Sequence, residues 1–257
     1  MSSPSSSSHA GRTIVVTGGG ASLGLAICEN LHRRGANIVI ADRAAAAAER
    51  LAAKLEAAGA GGAALAVQTD VTDATSIARM VKTVIDRFGR IDGLVNNAGI
   101  LGPIKPMWET TDAEINRVYD LNVKAVFAAT RAVVPHMMQH KRGAIVSIAS
   151  VAGKDGPKDL SIYASSKAAV IGFTKSWAKE LAPHGVRVNC VSPSIVASTG
   201  MQGEMPDWFS KDSVSRIPMG RAADASEVAN IVAFLLSDEA SFVIGACYDV
   251  SGGRASY

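Results

Sequence analysis

A tyrosine and a lysine four residues apart form the first pair in this sequence whose types and spacing could do chemistry. Tyr163 and Lys167 lie in the segment YASSK, so on a helix both side chains project from one face. A cation beside a phenol favours the phenolate, so we expect Lys167 to lower the pKa of Tyr163. Such a tyrosine can exchange a proton with an alcohol or carbonyl oxygen, and Ser150, at the end of an apolar run, could hold that oxygen by a hydrogen bond.

A glycine-rich turn near the start of the chain is a second candidate site. The segment VVTGGGASLG (15–24) ends a β-rich run and opens a helical pattern. Glycines there permit positive φ and close backbone approach, and the following helix presents amide N–H groups to a pyrophosphate. The cofactor-binding residues expected in this turn are Gly18, Gly20, Ser22, Leu23 and Gly24.

An acidic residue indicates which nucleotide this turn would bind. Asp42 ends the second apolar run, where a carboxylate can accept both adenosine-ribose hydroxyls and would repel the 2′-phosphate of NADP. Alternatively, Asp42 only caps the following helix. Arg43 beside it could meet a 2′-phosphate, but Ala21 offers no second positive charge. We therefore expect NAD as the cofactor, with Asp42 and Arg43 at its adenosine end.

Ser22 stands where a further glycine is expected, and two interpretations are open. In the first, its backbone conformation tolerates a Cβ, and the side chain caps the helix and gives its hydroxyl to the pyrophosphate. In the second, the position needs positive φ, serine costs about 1–2 kcal/mol there, and Gly20 takes over part of the flexible role. We favour the first interpretation.

An alternation of strands and helices must position these residues. Apolar runs predict strands at 13–17, 37–42, 63–71, 91–99, 143–150, 186–193 and 246–253, and helical spacing predicts helices at 23–35, 43–59, 74–89, 112–140, 161–182 and 224–238. Continuous Val/Ile runs between helices are typical of an α/β protein whose parallel sheet is covered on both faces. The long irregular stretch 192–221 is expected to be a functional lid with helices of its own.

Two further segments end predicted strands, where ligands bind in such folds. Asp70 and Val71 end the third strand and could flank an adenine ring. Asn97, Ala98 and Gly99, in the segment NNAG, end the fourth strand, and their small residues allow the backbone close to the cofactor.

Composition limits the other functions of the chain. It has 257 residues, of which 48% are hydrophobic, and a net charge of +3, which suits one domain at 11–257 behind a flexible tail at 1–10. The small, scattered charge does not indicate binding to nucleic acid or an anionic membrane, and no apolar run reaches the roughly 18 residues of a membrane span. Cys28, Cys190 and Cys247 are far apart, and no metal-ligand spacing occurs, so we expect buried thiols, no metal and a cytoplasmic protein.

The set Ser150, Tyr163-x3-Lys167, NNAG and the glycine turn resembles the short-chain dehydrogenase/reductase family, from about residue 11 to the C-terminus. The resemblance implies a single Rossmann-type, doubly wound parallel sheet of about seven strands. It also implies that Tyr163 is the catalytic acid/base, that Lys167 lowers its pKa and binds the nicotinamide ribose, and that Ser150 positions the substrate oxygen. Asn122 matches the family asparagine that holds a water in the proton relay.

Two segments depart from the pattern of the family. In SPSIVAS, Pro193 matches and Ser194 replaces a glycine; the resemblance implies that Val196 offers its backbone to the nicotinamide carboxamide and Ser198 a hydroxyl to the cofactor. The usual turn of the family is Thr-Gly-x3-Gly-x-Gly, so Ser22 replaces its middle glycine.

These features favour an NAD(H)-dependent oxidoreductase that interconverts a secondary alcohol and a ketone. The expected substrate is a cyclic or medium-sized alcohol, diol or polyol, bound under a lid at about 198–221. The resemblance also implies a homotetramer, built partly through helices 112–140 and 161–182, in which the closing segment RASY could reach a neighbouring subunit's site. The alternatives are a 3-oxoacyl-[acyl-carrier-protein] reductase, which normally uses NADPH, and a non-catalytic nucleotide-sensing protein; the chain is too short for an extended-branch epimerase or dehydratase.

Overall fold

Seven parallel strands form one sheet at the centre of the structure, a computed structural model that describes residues 8–59, 61–197, 199–203, 205–255 and 257. The strands are β1 (Thr13–Thr17), β2 (Asn37–Asp42), β3 (Ala64–Gln68), β4 (Gly93–Asn96), β5 (Gly143–Ile148), β6 (Val186–Pro193) and β7 (Cys247–Val250). Their order in the sheet is β3-β2-β1-β4-β5-β6-β7. The chain order reverses between β1 and β4, and ligands bind in the crevice at the carboxyl ends of such a pair.

Helices cover both faces of the sheet, so the predicted doubly wound α/β fold is confirmed. They are α1 (Ser22–Arg33), α2 (Ala45–Ala58), α3 (Ala74–Phe88), α4 (Asp112–Tyr119), α5 (Ala125–Gln139), α6 (Ala152–Asp155), α7 (Ser161–Leu181), α8 (Gly200–Gly203), α9 (Asp207–Ser215) and α10 (Ala225–Leu236), with 3-10 turns at Met107–Glu109, Ala182–His184 and Asp238–Ala240. Alternate strand residues face opposite sides: Ile14 and Val16 pack with α1, α2 and α10, and Val15 packs with α3, α5 and α7.

The helix expected over 112–140 is interrupted. A π turn at Asp120–Lys124 separates α4 from α5, and it carries Asn122, whose side chain is fully buried. A capping box between Thr111 and Glu114 starts α4. Periodicity alone could not show the interruption, because a π turn adds only one residue to an otherwise helical pattern.

The N-terminal segment is ordered further than expected. His9 is fully buried, and its amide N–H donates to the carbonyl oxygen of Arg34 at 3.0 Å. Burial, helped by the positive charge of Arg12, lowers the pKa of His9 to about 4. His9 thus packs against the domain, while residues 1–7 of the predicted tail at 1–10 lie outside the described residues.

The long stretch after β6 carries two helices, α8 and α9, as expected of a lid. A β-bridge between Val196 and Ala223 joins the two ends of this segment at its base. All three cysteines are free thiols; Cys28 and Cys190 are buried as predicted, whereas Cys247 is half-buried. In the part of the chain that the structure describes, no helix combines the length and apolar character needed to cross a membrane.

Candidate active site

One cleft of about 780 Å³ runs along the carboxyl ends of the strands. Most of the residues singled out in the sequence line it: Gly18, Ser22, Leu23, Gly24, Asp42, Arg43, Asp70, Val71, Asn97, Ala98, Gly99, Ser150, Tyr163, Lys167, Pro193 and Val196. Gly20 and Asn122 are buried behind its wall, and Ser198 lies outside the described residues. We name the two parts of the cleft after their expected roles: the cofactor end lies at β1–β3, and the substrate end lies at α6, α8 and α9.

The glycine turn brings backbone segments closer than side chains would permit. Gly18 has φ +62°, and a Cβ at Gly24 would lie 2.0 Å from the carbonyl oxygen of Gly18. Gly20 is buried, and its amide N–H donates to Asp42 Oδ2 at 2.9 Å. Gly20 therefore fixes the shape of the turn from behind, and it does not face the cleft.

Ser22 adopts the left-handed conformation, with φ +52°. Our preferred interpretation, a relaxed Ser22 that caps α1, is wrong, because the N-cap residue is Ala21. The Ser22 hydroxyl instead accepts a hydrogen bond from the amide N–H of Gly200, at the start of α8, at 2.9 Å. The serine thus carries backbone strain and joins the glycine turn to the lid.

The start of α1 fits the pyrophosphate of a dinucleotide. The methyl side chain of Ala21 cannot accept a hydrogen bond, and the first turn contains no acidic residue, so its amide N–H groups are left for a ligand. The positive end of the helix dipole lies at the same place. The cradle depends on the absence of a Cβ at Gly24, where one would collide with the backbone.

Asp42 lines the cleft, and it does not cap α2 as the alternative interpretation required. The N-cap residue of α2 is Ala44, and no side chain caps that helix. Asp42 Oδ1 accepts from the amide N–H of Ala44 and Oδ2 from that of Gly20, both at 2.9 Å. These two bonds fix the carboxylate at the rim, and each carboxylate oxygen has a further lone pair, so the geometry is compatible with a ribose acceptor.

Hydrogen bonds of two side chains, those of Asn97 and Thr17, join the ends of β1 and β4. Asn97 Nδ2 donates to the carbonyl oxygens of Thr17 and Gly18, both at 3.0 Å. The hydroxyl of Thr17 accepts from the amide N–H of Asn97 at 3.0 Å. A Cβ at Gly99 would lie 3.5 Å from Lys167 Nζ, so this turn passes close to the candidate catalytic lysine.

The candidate catalytic residues meet where β5 ends and α7 begins. Tyr163, Lys167 and Ser150 are all nearly buried, at 7%, 4% and 9% exposure. Lys167 Nζ donates to the carbonyl oxygen of Ile148, at the end of β5, at 2.7 Å and lies 5.8 Å from the centre of the Tyr163 ring. The Tyr163 hydroxyl donates to the Met201 sulfur of α8 at 3.6 Å, a partner that no sequence motif indicates.

Our expectation that the pKa of Tyr163 is lowered is wrong for the protein without a bound ligand. Burial raises the pKa of Tyr163 to about 12, and the neighbouring Ser150 hydroxyl lowers it only in part. Burial also lowers the pKa of Lys167 to about 8. Desolvation disfavours both charged forms, so the spacing of the pair does not by itself make a phenolate.

Asn122 connects the π turn to α7, the helix that carries Tyr163 and Lys167. Its Nδ2 donates to the carbonyl oxygen of Ile100 at 2.9 Å and to Ser166 Oγ at 3.1 Å, and its Oδ1 accepts from the amide N–H of Ile100. Ser166 Oγ in turn donates to the carbonyl oxygen of Tyr163 at 2.7 Å. Asn122 therefore orients the backbone that carries Tyr163, through a serine that sequence reasoning missed.

The substrate end has an apolar wall. Leu101, Leu160 and Tyr163 pack with three lid residues, Met201, Met205 and Phe209. Trp208 is different from these lid residues, because it is 61% exposed and does not line the cleft. Beside Val196, a further residue that the sequence did not indicate, Thr199, lines the cleft, and its hydroxyl donates to the Val196 carbonyl oxygen at 3.1 Å.

Two residues of the C-terminal segment RASY, Arg254 and Tyr257, contact α6 of their own chain. Arg254 Nε donates to Asp155 Oδ2 at 3.2 Å, and the Tyr257 hydroxyl donates to the Lys154 carbonyl oxygen at 3.0 Å. Lys154 Nζ donates to Asp249 Oδ2 of β7 at 2.8 Å. The segment therefore packs beside the chain's own cleft, which Arg254 lines.

Comparison with known proteins agrees with this geometry. Residues 12–209 match the family model described as short chain dehydrogenase. An uncharacterized oxidoreductase of Mycobacterium bovis is 40% identical over 243 residues, 95% of this chain and 96% of the relative. A cyclopentanol dehydrogenase of a Comamonas species is 38% identical over 94% of this chain and 96% of its own. The crystal structure of a 3-ketoacyl-(acyl-carrier-protein) reductase from Brucella melitensis complexed with NADH has a TM-score of 0.90 at 32% identity, covering 96% of this chain and 99% of that one.

Proposed function

Because the chain belongs to the short-chain dehydrogenase/reductase family of oxidoreductases, which use nicotinamide cofactors, we propose that it interconverts a secondary alcohol and a ketone with NAD(H). One observation carries this proposal. Ser150, Tyr163 and Lys167 meet at one end of a cleft whose other end holds the glycine turn and Asp42. Such a cleft supports reaction of a small molecule at the end of a bound dinucleotide.

NAD(H), held by the glycine turn and Asp42, would supply or accept a hydride at the carbinol carbon of the substrate. The Tyr163 hydroxyl is the proton donor to the ketone oxygen, and its oxygen takes the proton back in the reverse direction. Ser150 Oγ holds the same substrate oxygen by a hydrogen bond. Lys167 is cationic near neutral pH and lies beside the Tyr163 ring, so it stabilises negative charge that develops on the phenol oxygen.

The choice of NAD over NADP rests on Asp42. Its carboxylate is fixed at the rim by two amide N–H groups, so it would remain in place against an added 2′-phosphate. Arg43 is exposed at the same rim, and it is the group that would favour NADP. The similar reductase structure with NADH supports the same cofactor.

The proposed substrate is a cyclic or medium-sized alcohol or ketone, or a diol or polyol. The apolar wall of Leu101, Leu160, Met201, Met205 and Phe209 supports a compact carbon skeleton, and the resemblance to a cyclopentanol dehydrogenase supports a ring. A 3-oxoacyl-[acyl-carrier-protein] reductase is the second candidate, favoured by the resemblance to the Brucella reductase. A non-catalytic nucleotide-sensing role is the third.

We also propose a homotetramer and a cytoplasmic location. An aromatic cluster on α5 and α7 supports the assembly: Phe127 is 46% exposed, and its ring lies 4.6 Å from that of Trp177 and 5.0 Å from that of Phe173. Free thiols support a reducing compartment. Phe127→Asp is expected to lower the oligomer mass in analytical ultracentrifugation; an unchanged tetramer would place the subunit contact elsewhere.

A substrate screen with NAD and NADP in parallel tests the proposed function. The panel contains cyclic alcohols, diols, polyols and a 3-hydroxyacyl thioester, and NADH or NADPH formation is followed by absorbance. We expect turnover of a cyclic alcohol with NAD. Turnover of the thioester alone would favour the second candidate, and cofactor binding without turnover of any alcohol would favour the sensor.

A further inference from the structure

Arg254 is a buried arginine with free hydrogen-bond donors in the proposed substrate cleft. Its side chain is only 9% exposed and lines the cleft that also contains Ser150 and Tyr163. Nε donates to Asp155 Oδ2, and among the described residues no other hydrogen bond reaches this side chain. A guanidinium has five N–H donors in a planar fork, so four remain available to a ligand.

The other cations of the cleft differ from Arg254 in exposure or in position. Arg43 and Arg117 are exposed, and Arg43 adjoins Asp42 at the cofactor end. Lys167 is buried, but its ammonium group donates to the Ile148 carbonyl oxygen and belongs to the catalytic set. Arg254 is therefore the buried cation that combines a place in the cleft with unused donors.

The short helix α6 links Ser150 to Arg254 by hydrogen bonds at its two ends. At its start, the amide N–H of Ala152 donates to Ser150 Oγ at 3.2 Å; at its end, Asp155 accepts from Arg254. Three residues of helix span about 5 Å. A substituent a few bonds from the carbonyl carbon of a compact substrate would thus reach the guanidinium while Ser150 holds the carbonyl oxygen.

The carboxylates around this end of the cleft are already paired, so Arg254 offers a ligand hydrogen-bond donors and not an unbalanced charge. Arg254 pairs with Asp155, and Lys154 pairs with Asp249 and also donates to the main-chain oxygen of Tyr257. A ligand carboxylate would share the guanidinium with Asp155 through its unused N–H groups.

Resting on the proposed function, we propose that Arg254 selects substrates that carry a carboxylate: ring ketones or secondary alcohols with the acid group a few bonds from the reacting carbon. The planar fork of the guanidinium matches the two oxygens of a carboxylate. The apolar wall holds the carbon skeleton between this anchor and Tyr163. Arg254 would thus be a specificity residue that takes no part in proton transfer.

A matched pair of ketones tests this proposal. With NADH, the wild-type enzyme and the variants Arg254→Gln, Arg254→Lys and Arg117→Gln are assayed on 3-oxocyclohexane-1-carboxylate and on its neutral carboxamide. Calorimetry then measures the binding of cyclohexanecarboxylate and cyclohexanecarboxamide to the same four proteins without cofactor.

We expect the wild-type enzyme to prefer the acid and Arg254→Gln to raise its KM for the acid by about 10- to 100-fold, the value of a hydrogen-bonded charge pair. The carboxamide kinetics should be unchanged, Arg254→Lys should recover part of the acid preference, and Arg117→Gln should match the wild type. Calorimetry should show the same loss of carboxylate binding in Arg254→Gln.

Two results would overturn the proposal: equal wild-type kinetics and binding for acid and amide, or an equal loss on both ketones in Arg254→Gln. In either case, turnover of the carboxamide would leave the proposed function intact. If neither ketone is reduced, the calorimetry still decides, because it needs no turnover.

Discussion

The two ends of the cleft are held by different kinds of contact. At the cofactor end, side chains hold backbone: Asp42 accepts from two amide N–H groups, and Asn97 donates to two carbonyl oxygens. At the substrate end, side chains meet side chains, as in Tyr163 with Met201 and Arg254 with Asp155. The shape of the cofactor end therefore depends on the backbone and on a few side chains that hold it. The shape of the substrate end depends on the side chains themselves, so a single substitution there alters its lining.

The largest effect should separate catalysis from cofactor binding. Tyr163→Phe removes the proposed acid/base and should lower kcat by about 10²–10⁴-fold, while the affinity for NADH, measured by fluorescence titration, stays unchanged. Tyr119→Phe is the matched control, because that hydroxyl donates to Ser165 Oγ at 2.9 Å and neither residue lines the cleft. Turnover of Tyr163→Phe near the wild-type rate would refute the mechanism.

A change at the other end should alter the cofactor and leave the chemistry in place. Asp42→Ala removes the charge that opposes a 2′-phosphate and two acceptor oxygens, so the NAD:NADP ratio of kcat/KM should fall by about 10- to 100-fold. Arg43→Gln in the same background should reduce the NADP activity gained. If the ratio in Asp42→Ala stays at the wild-type value, the carboxylate serves only the turn and the start of α2.

The buried Lys167 should make the stability of the protein depend on pH. Since burial lowers the pKa of Lys167 from 10.5 to about 8, the unfolded chain binds more protons than the folded one between these values. The free energy of unfolding should therefore rise with pH, by about 2 kcal/mol between pH 8 and 10 from this group. Burial raises the pKa of Tyr163, so its contribution falls with pH only above about 10.

Urea denaturation of the wild type and Lys167→Met across this range measures the contribution of the lysine. The free energy of unfolding of the wild type should rise with pH relative to that of Lys167→Met. Parallel curves would mean that the lysine keeps its ordinary pKa in the folded protein.

The smallest effect should come from the contact that joins the two ends. Ser22→Gly relieves a left-handed serine but, like Ser22→Ala, loses the hydrogen bond from Gly200, so it should be more stable than Ser22→Ala by about 1 kcal/mol, with little change in NAD affinity. Ser22→Ala keeps the strain and loses the hydrogen bond from Gly200, so it should lower stability by about 1 kcal/mol. Thermal denaturation distinguishes them, and a destabilised Ser22→Gly would show that the bond outweighs the strain.

The sequence predicted the cofactor end better than the substrate end, for a physical reason. Asp42 and the glycine turn lie at the ends of apolar runs, and parallel strands bring such ends together. The partners of Ser22 and Tyr163 are lid residues 178 and 38 positions away, which no local spacing specifies. The predicted direction of the Tyr163 pKa is wrong because burial, which spacing does not give, raises it.

The π turn before α5 has a consequence for how this enzyme could change. A π turn holds one residue more than a regular helical turn, and the helices on either side keep their faces. Deleting one residue within Asp120–Lys124 is thus expected to yield a continuous helix in which α4 and α5 still pack as before. The hydrogen bonds that link Asn122 through Ser166 to Tyr163 would be lost while the fold stayed intact. Deletion of one residue is therefore expected to abolish activity in a protein that still folds.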